Sequence, residues 1–274
     1  MMGSPRVSVI MNCLNGERYL REAMDSVFAQ TYTDWEIVFW DNASTDAGAE
    51  IAKSYGERVR YFRSEETCSL GKARNLAIAQ ARGEYVALLD CDDVWLPEKL
   101  DKQVPLGDAD PLVALIYSDS FFIDQDGAVI GQYFKQAPPP TGDAFIGLLT
   151  RRNFIPCLTV VMRRMVVEKV GGFNPALEFA EDLDLFLRIL REYGAAYVNE
   201  PLAQYRLHSG AITAGGLPSS TMETIWVTQE TAKGIPALSF HDRWAIRKRL
   251  FALWCKLMVQ WLRLRGTLTP IMSL

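Results

Sequence analysis

The strongest constraint on the fold is an alternation that runs through the first 90 or so residues. Stretches 7–11, 35–40, 59–62 and 85–89 read as strands, and the short apolar, β-branched run 7–11 has the pattern of one buried on both faces. Between them, apolar residues recur at helical spacing. Leu20, Ala23, Met24, Val27 and Phe28 mark the first helix. A second is expected over about 46–55, and a third opens at Gly71-Lys72-Ala73-Arg74-Asn75 and ends at Gly83. This β-α-β-α-β-α-β order predicts an α/β fold with a mostly parallel sheet covered by helices on both sides. In such sheets ligands sit beyond the carboxyl ends of the strands. Three polar clusters occupy that position: 12–16, 41–46 and 90–93.

The second half is mixed. Strands are expected over 112–117 and 158–162, with a hairpin over 121–134 turning at Asp126-Gly127. A short helix ends at Gly171-Gly172, and another opens at Glu181-Asp182 with Leu183, Phe186, Leu187 and Leu190 on one face. Residues 207–220 read as a mobile loop, and 239–265 as a long basic amphipathic helix.

Charge divides the chain in the same place. Residues 216–274 hold eight basic side chains and three acids, hence +5, so the net −4 leaves −9 on residues 1–215. A net-acidic chain excludes a whole-molecule polyanion binder, so no nucleic-acid partner is expected. The five cysteines are odd in number and form no C-x-x-C pair, and the two histidines complete no zinc cluster with them. They read as reduced thiols of a cytoplasmic protein. The N-terminus enters a strand directly, so no signal peptide is expected, and no uncharged run is long enough to span a bilayer.

The sharpest chemical feature is Asp90-Cys91-Asp92-Asp93, three carboxylates at a strand end. They repel one another unless a hard divalent cation is present, and such cations leave positions open for phosphate oxygens. The alternative is a solvated acidic turn. Asp41, ending the second strand, is suited to a base N–H or ribose hydroxyl, or to capping the next helix. Lys72 and Arg74 follow Gly71 at a helix start and form either an anion site or a solvated face. Glu181-Asp182 has the form of a general base with an acidic neighbour, or of ordinary helix capping. His208, after Tyr205-Arg206, is a ligand or a structural histidine.

The ordered set of these pieces resembles the family 2 glycosyltransferases of GT-A fold. The resemblance rests on 7–16 with Tyr19-Leu20, on 26–32, and on Trp35-Glu36-Ile37-Val38 with 41–46. It continues through 71–75, Gly83-Glu84-Tyr85, 89–93, Gly171-Gly172-Phe173, 181–185 and Tyr205-Arg206-Leu207-His208. It spans about residues 6–210. It implies a Rossmann-like sheet with a C-terminal helical extension, and inverting transfer from a nucleotide-diphosphate sugar, UDP-linked above all, to a saccharide or lipid-linked acceptor hydroxyl. By position, Asp182 matches the catalytic base and Glu181 its acidic neighbour. Asn12 and Asn15 would line the nucleotide loop, Asp41 would hold the base, and Lys72 and Arg74 would flank the ribose-diphosphate. Asp90 and Asp92 match the D-x-D pair. Asp92, then Asp93 and His208, would face Mn2+ or Mg2+. Leu14 stands where many members carry an aromatic side chain.

The implied organisation is a catalytic domain over 1–215, with a nucleotide-binding half to about 105 and an acceptor half beyond. The extension is 216–274. The helix over 239–265 carries Trp244, Phe251, Trp254 and Trp261 among seven basic residues. It therefore addresses either the inner face of a membrane, as a peripheral contact, or the protein itself, including a dimer mate. Two other classes stay open at this stage. One is a nucleotidyltransferase-like enzyme, which lacks support from a glycine-rich phosphate loop at 12–18. The other is a non-catalytic sugar-nucleotide-binding module.

Overall fold

The computed structural model describes residues 4–140, 142–211 and 218–264. Strands β1 (Val7–Cys13) and β2 (Trp35–Asp41) are buried at every position, as parallel strands covered on both faces must be. Successive side chains alternate between two cores. Val9, Met11, Ile37 and Phe39 meet Leu20, Met24 and Val27 of helix α1 (Glu17–Phe28) and Ile51 of α2 (Gly48–Lys53) on one side. Ile10 and Val38 meet Ala73 and Ala77 of α3 (Leu70–Ile78) on the other.

β3 (Val59–Arg63) flanks β2, and β4 (Tyr85–Leu88) flanks β1, all parallel. The chain winds outwards from β1 to β3 and then returns to the other side of β1. The crevice between the carboxyl ends of β1 and β4 is therefore a topological switch point, where such sheets bind ligands. Clusters 12–16 and 90–93 lie on its two lips.

Beyond β4 come β5 (Val94–Trp95), α4 (Lys99–Ala109), β6 (Val113–Ile123), β7 (Val129–Gln132), α5 (Tyr133–Gln136) and α6 (Ala144–Thr150). A 3-10 turn (Cys157–Thr159) leads into β8 (Val161–Arg163), α7 (Arg164–Lys169), α8 (Glu181–Leu190) and β9 (Gly194–Arg206). The nine-stranded sheet has the order β3-β2-β1-β4-β8-β6-β9-β5, with β7 on β6. β8 is antiparallel to both of its neighbours, β4 and β6. The expected hairpin is present: Asp124 accepts from the backbone of Asp126 and Ala128, and Gly127 takes φ 88°. Its first strand is one with the strand expected at 112–117, so that β6 is continuous. The strand expected at 158–162 begins later, because Cys157–Thr159 form the 3-10 turn.

β9 was not expected. Pro201 and a polar Asn199-Glu200 interrupt its alternation, and its register against β6 slips at Ser118/Asp119. It delivers Arg206 and His208 to the site.

α9 (Pro218–Lys233) and α10 (Phe240–Leu264) close the described chain. Val227 and Ile246 enter the same core as α8, so these helices sit on the body of the protein. Part of the loop read at 207–220 and the last residue of the helix read at 239–265 lie outside the described residues. No described helix is long and apolar enough to cross a membrane.

Candidate active site

The two non-glycine residues at positive φ among the described ones are Asn15 (53°) and Ala43 (66°), one in each of the first two polar loops. Such backbone is strained and persists where the surroundings over-determine it. The loops hold each other: Asn15 N–H donates to Ser44 Oγ at 3.0 Å, and Asn15 Oδ1 accepts from Thr45 N–H at 2.8 Å. Gly16 follows because nothing larger fits. A Cβ there would lie 2.5 Å from Cys91 Sγ and 2.8 Å from Cys13 Sγ.

A cavity of about 710 Å³ opens at this point. Asn12, Asn15, Arg74, Glu181, Asp182, His208 and all of 90–93 line it. Asp41 and Lys72 do not. Asp41 is 1% exposed, and its oxygens are taken by Ser44 N–H at 2.7 Å, Tyr61 O–H at 2.6 Å and the Arg63 guanidinium. These hydrogen bonds hold its pKa below the usual carboxylate value against the opposing effect of burial. Its acceptor capacity ties the 41–46 loop to β3. Lys72 is exposed beside the buried Ala73 and Arg74.

Arg74, expected to flank a ribose-diphosphate, lines the cavity and is held there by protein groups. It is 2% exposed and lies between two carboxylates. Nη1 donates to Glu181 Oε1 at 2.8 Å, and Nη2 donates to Asp90 Oδ1 and Oδ2 at 2.8 and 3.2 Å. One guanidinium thus joins α3, the end of β4 and the start of α8. Asn75, one residue on, donates to Phe173 O and accepts from Phe173 N–H, both at 2.8 Å. Gly172 (φ 68°) makes room for it, since a Cβ would stand 2.5 Å from Asn75 Oδ1.

Asp182 stays open. Its Oδ1 accepts from the Leu183 N–H at 2.6 Å, and its Oδ2 has only a long 3.4 Å contact with Asn153 Nδ2. Burial raises its pKa to about 6, with the neighbouring Asp90 charge pushing the same way. Burial also raises Glu181, to about 7, with Arg74 opposing and the Asp182 charge adding to the rise.

On the opposite lip, Asp92 Oδ2 and His208 Nε2 lie 2.9 Å apart. Asp93 Oδ1 accepts from the Arg206 N–H at 2.9 Å, while its buried Oδ2 has no partner among the described residues. Arg206 fixes this lip: its Nε donates to Asp92 O at 2.8 Å and its Nη2 to Glu22 at 2.6 Å, and its guanidinium lies over Tyr19. An imidazole and a carboxylate converging on one cavity wall suit Mn2+ or Mg2+. Among the described residues no third His, Cys, Asp or Glu completes a preformed cluster. Two protein ligands leave positions for phosphate oxygens, so the donor set fits such an ion.

Asn12, a sequence candidate for the nucleotide loop, lines the cavity, and its buried Nδ2 has no partner among the described residues. A buried amide donor of this kind awaits an acceptor. One feature escaped sequence reasoning: Glu223 on α9. Its carboxylate accepts from the backbone N–H groups of Glu178, Phe179 and Ala180 at 2.8–3.1 Å. Those residues lead straight into Glu181-Asp182, so Glu223 anchors the segment that presents Asp182. No local motif in 218–233 signals this.

Residues 8–171 match the sequence model of Glycosyl transferase family 2. The chain belongs to glycosyltransferase family 2. It is 32% identical over 215 residues to the putative teichuronic acid biosynthesis glycosyltransferase TuaG of Bacillus subtilis, covering 77% of this chain and 82% of that protein. An uncharacterized glycosyltransferase of Rickettsia felis is 34% identical over 209 residues, 75% of this chain. The chain spans only 35% of that relative's length. Among solved structures, residues 1–349 of Staphylococcus aureus TarS in complex with UDP-GlcNAc superpose with a TM-score of 0.72 at 20% identity, over 88% of this chain and 70% of that one. The mannosyltransferase PcManGT of Pyrobaculum calidifontis, in complex with GDP-Man and Mn2+, gives 0.62 at 19% identity, over 94% and 76%. This glycosyltransferase therefore shares the mixed α/β architecture of GT-A enzymes.

Proposed function

We propose that this family 2 enzyme transfers a sugar, with inversion, from a nucleotide-diphosphate sugar, UDP-linked above all, to a hydroxyl of a saccharide or lipid-linked acceptor in polysaccharide or glycoconjugate synthesis. Residues 1–215 form the catalytic domain and 216–274 the helical extension. The observation that carries the reading is that an open, high-pKa carboxylate, Asp182, faces the same cavity as the Asp92–His208 pair and the unpartnered Asn12 amide. The TuaG relative and the nucleotide-sugar complexes of the structural neighbours support the donor class.

Asp182 accepts the proton of the acceptor hydroxyl as that oxygen attacks the anomeric carbon. Its raised pKa makes it a stronger base than a solvated carboxylate while leaving it ionised at neutral pH. Glu181 and Asp90 are held on Arg74, so neither is free to act as a second nucleophile, which favours a single displacement. Arg74 ties the end of β4 to the start of α8, which presents Asp182. Asn12 offers its amide to the nucleotide. Asp92 and His208, with Asp93 beside them, would hold the divalent cation, which supplies positive charge for the departing diphosphate.

The test compares donor binding by calorimetry with transfer to acceptor in Asp182→Asn. Retained donor affinity with lost transfer is expected. Normal transfer would remove Asp182 from its role.

A further inference from the structure

Helix α10 is apolar on two sides, and among the described residues one of them packs on the body of the protein. Ile246 is buried, Arg249 donates to the carbonyl of Leu148 on α6, and Leu250 packs on the core shared with α8. On the other side, Phe240, Trp244, Phe251, Trp254 and Met258 follow at intervals of 4, 7, 3 and 4 residues. At roughly 100° per residue these positions fall in one sector about 80° wide. All five are exposed, Phe240 by 86%, Phe251 by 72% and Met258 by 64%. Met222 and Trp226 of α9 extend the apolar surface, and an apolar groove of about 290 Å³ lies between Met222, Trp254 and Met258. Monomeric soluble proteins seldom leave such a patch bare.

Charge decides what fits it. Arg243, Arg247, Lys248, Lys256 and Arg263 are all exposed on α10, against the single acid Asp242. Two copies of this face would bring like charges together. Aromatic side chains mixed with Arg and Lys suit the boundary of an anionic bilayer, with rings at headgroup depth and cations on lipid phosphates. We propose that α10 docks this chain on an anionic lipid surface, lying flat with its Phe240–Met258 face in the headgroup layer. The helix does not span the membrane.

The test uses the full chain without donor or acceptor, so its failure is separate from failure of the transfer reading. Sedimentation with phosphatidylcholine vesicles is compared with sedimentation on vesicles that also contain phosphatidylglycerol. Anionic vesicles should bind at least about tenfold more tightly, and added salt should weaken the binding. Arg243→Gln/Arg247→Gln/Lys248→Gln should weaken it by about 100-fold, on the usual contribution of three basic residues near a charged surface. Trp244→Ser/Phe251→Ser should reduce binding to both vesicle types. If this second variant fails to fold, the charge variant carries the test. Absent binding to anionic vesicles, or equal binding to neutral ones, overturns the proposal. So does a stable dimer in solution that Phe251→Ser dissolves.

Discussion

Two regions of one cavity use the same residue types in opposite ways. Around Arg74, the carboxylates of Asp90 and Glu181 are closed into a buried ion-pair lattice that ties α3, β4 and α8 together. Across the cavity and at its edge, Asp182, Asp92 and His208 keep faces open to the space a substrate would fill. The comparison separates carboxylates closed into ion pairs from carboxylates left facing the cavity, to which the proposed mechanism gives the chemistry, although all of them lie in motifs of similar appearance. The closed set fixes geometry, since removing one partner strands a buried charge. In the proposed mechanism the open set carries the chemistry, since Asp182 faces the cavity with no ion pair occupying its oxygens.

The largest expected effect falls on the open set. Asp182→Asn should lower turnover by ~10²–10⁴-fold, the scale of general-base loss, while leaving the melting temperature nearly unchanged. Arg74→Met should do the reverse in kind. Breaking a buried charge network costs about 3–5 kcal/mol, so the thermal unfolding midpoint should fall by ~10 °C. An unaltered midpoint would break the distinction between the two regions. If the proposed metal reading holds, His208→Ala should weaken the Mn2+ dependence of donor binding by at least about 10-fold, the scale on which even supporting groups of a metal site act, with the unfolding midpoint unmoved. The smallest effect belongs to Glu223. Glu223→Gln keeps an acceptor for the 178–180 N–H groups and should retain most of kcat. Glu223→Ala strands those donors and should lower kcat several-fold at unchanged donor affinity, a loss of about 1 kcal/mol. Equal kcat in the two variants would mean that this anchor does not position Asp182.

How far the site was legible depended on how local its signals are. Strands β1, β2 and β4 and the loops behind them could be read because burial on both faces leaves continuous apolar runs, broken only where polar clusters meet the crevice, whereas β3 at the sheet edge is only partly buried. Asp182, Asp92 and His208 were candidates from their motifs alone. The division between open and closed carboxylates was not legible. Asp41 meets Tyr61 and Arg63, 20 and 22 residues away on the neighbouring strand, and Arg74 meets Glu181 107 residues away. Such pairings are set by strand register and helix packing, which residue spacing does not encode. β9 was hidden by Pro201 and its slipped register, and Glu223 by an undistinguished helix.

The most direct test of the central claim is the pH dependence of kcat/KM. A base works only when deprotonated, so transfer should fall about tenfold for each unit below its pKa. Burial raises that of Asp182 to about 6 and that of the adjacent Glu181 to about 7, so the two carboxyls titrate as a pair. The account predicts an acid limb between about pH 6 and 7 in the wild type that persists in Glu181→Gln and is lost from the residual activity of Asp182→Asn. A wild-type profile flat from about pH 5 upwards, or a limb that survives in Asp182→Asn but not in Glu181→Gln, would contradict it.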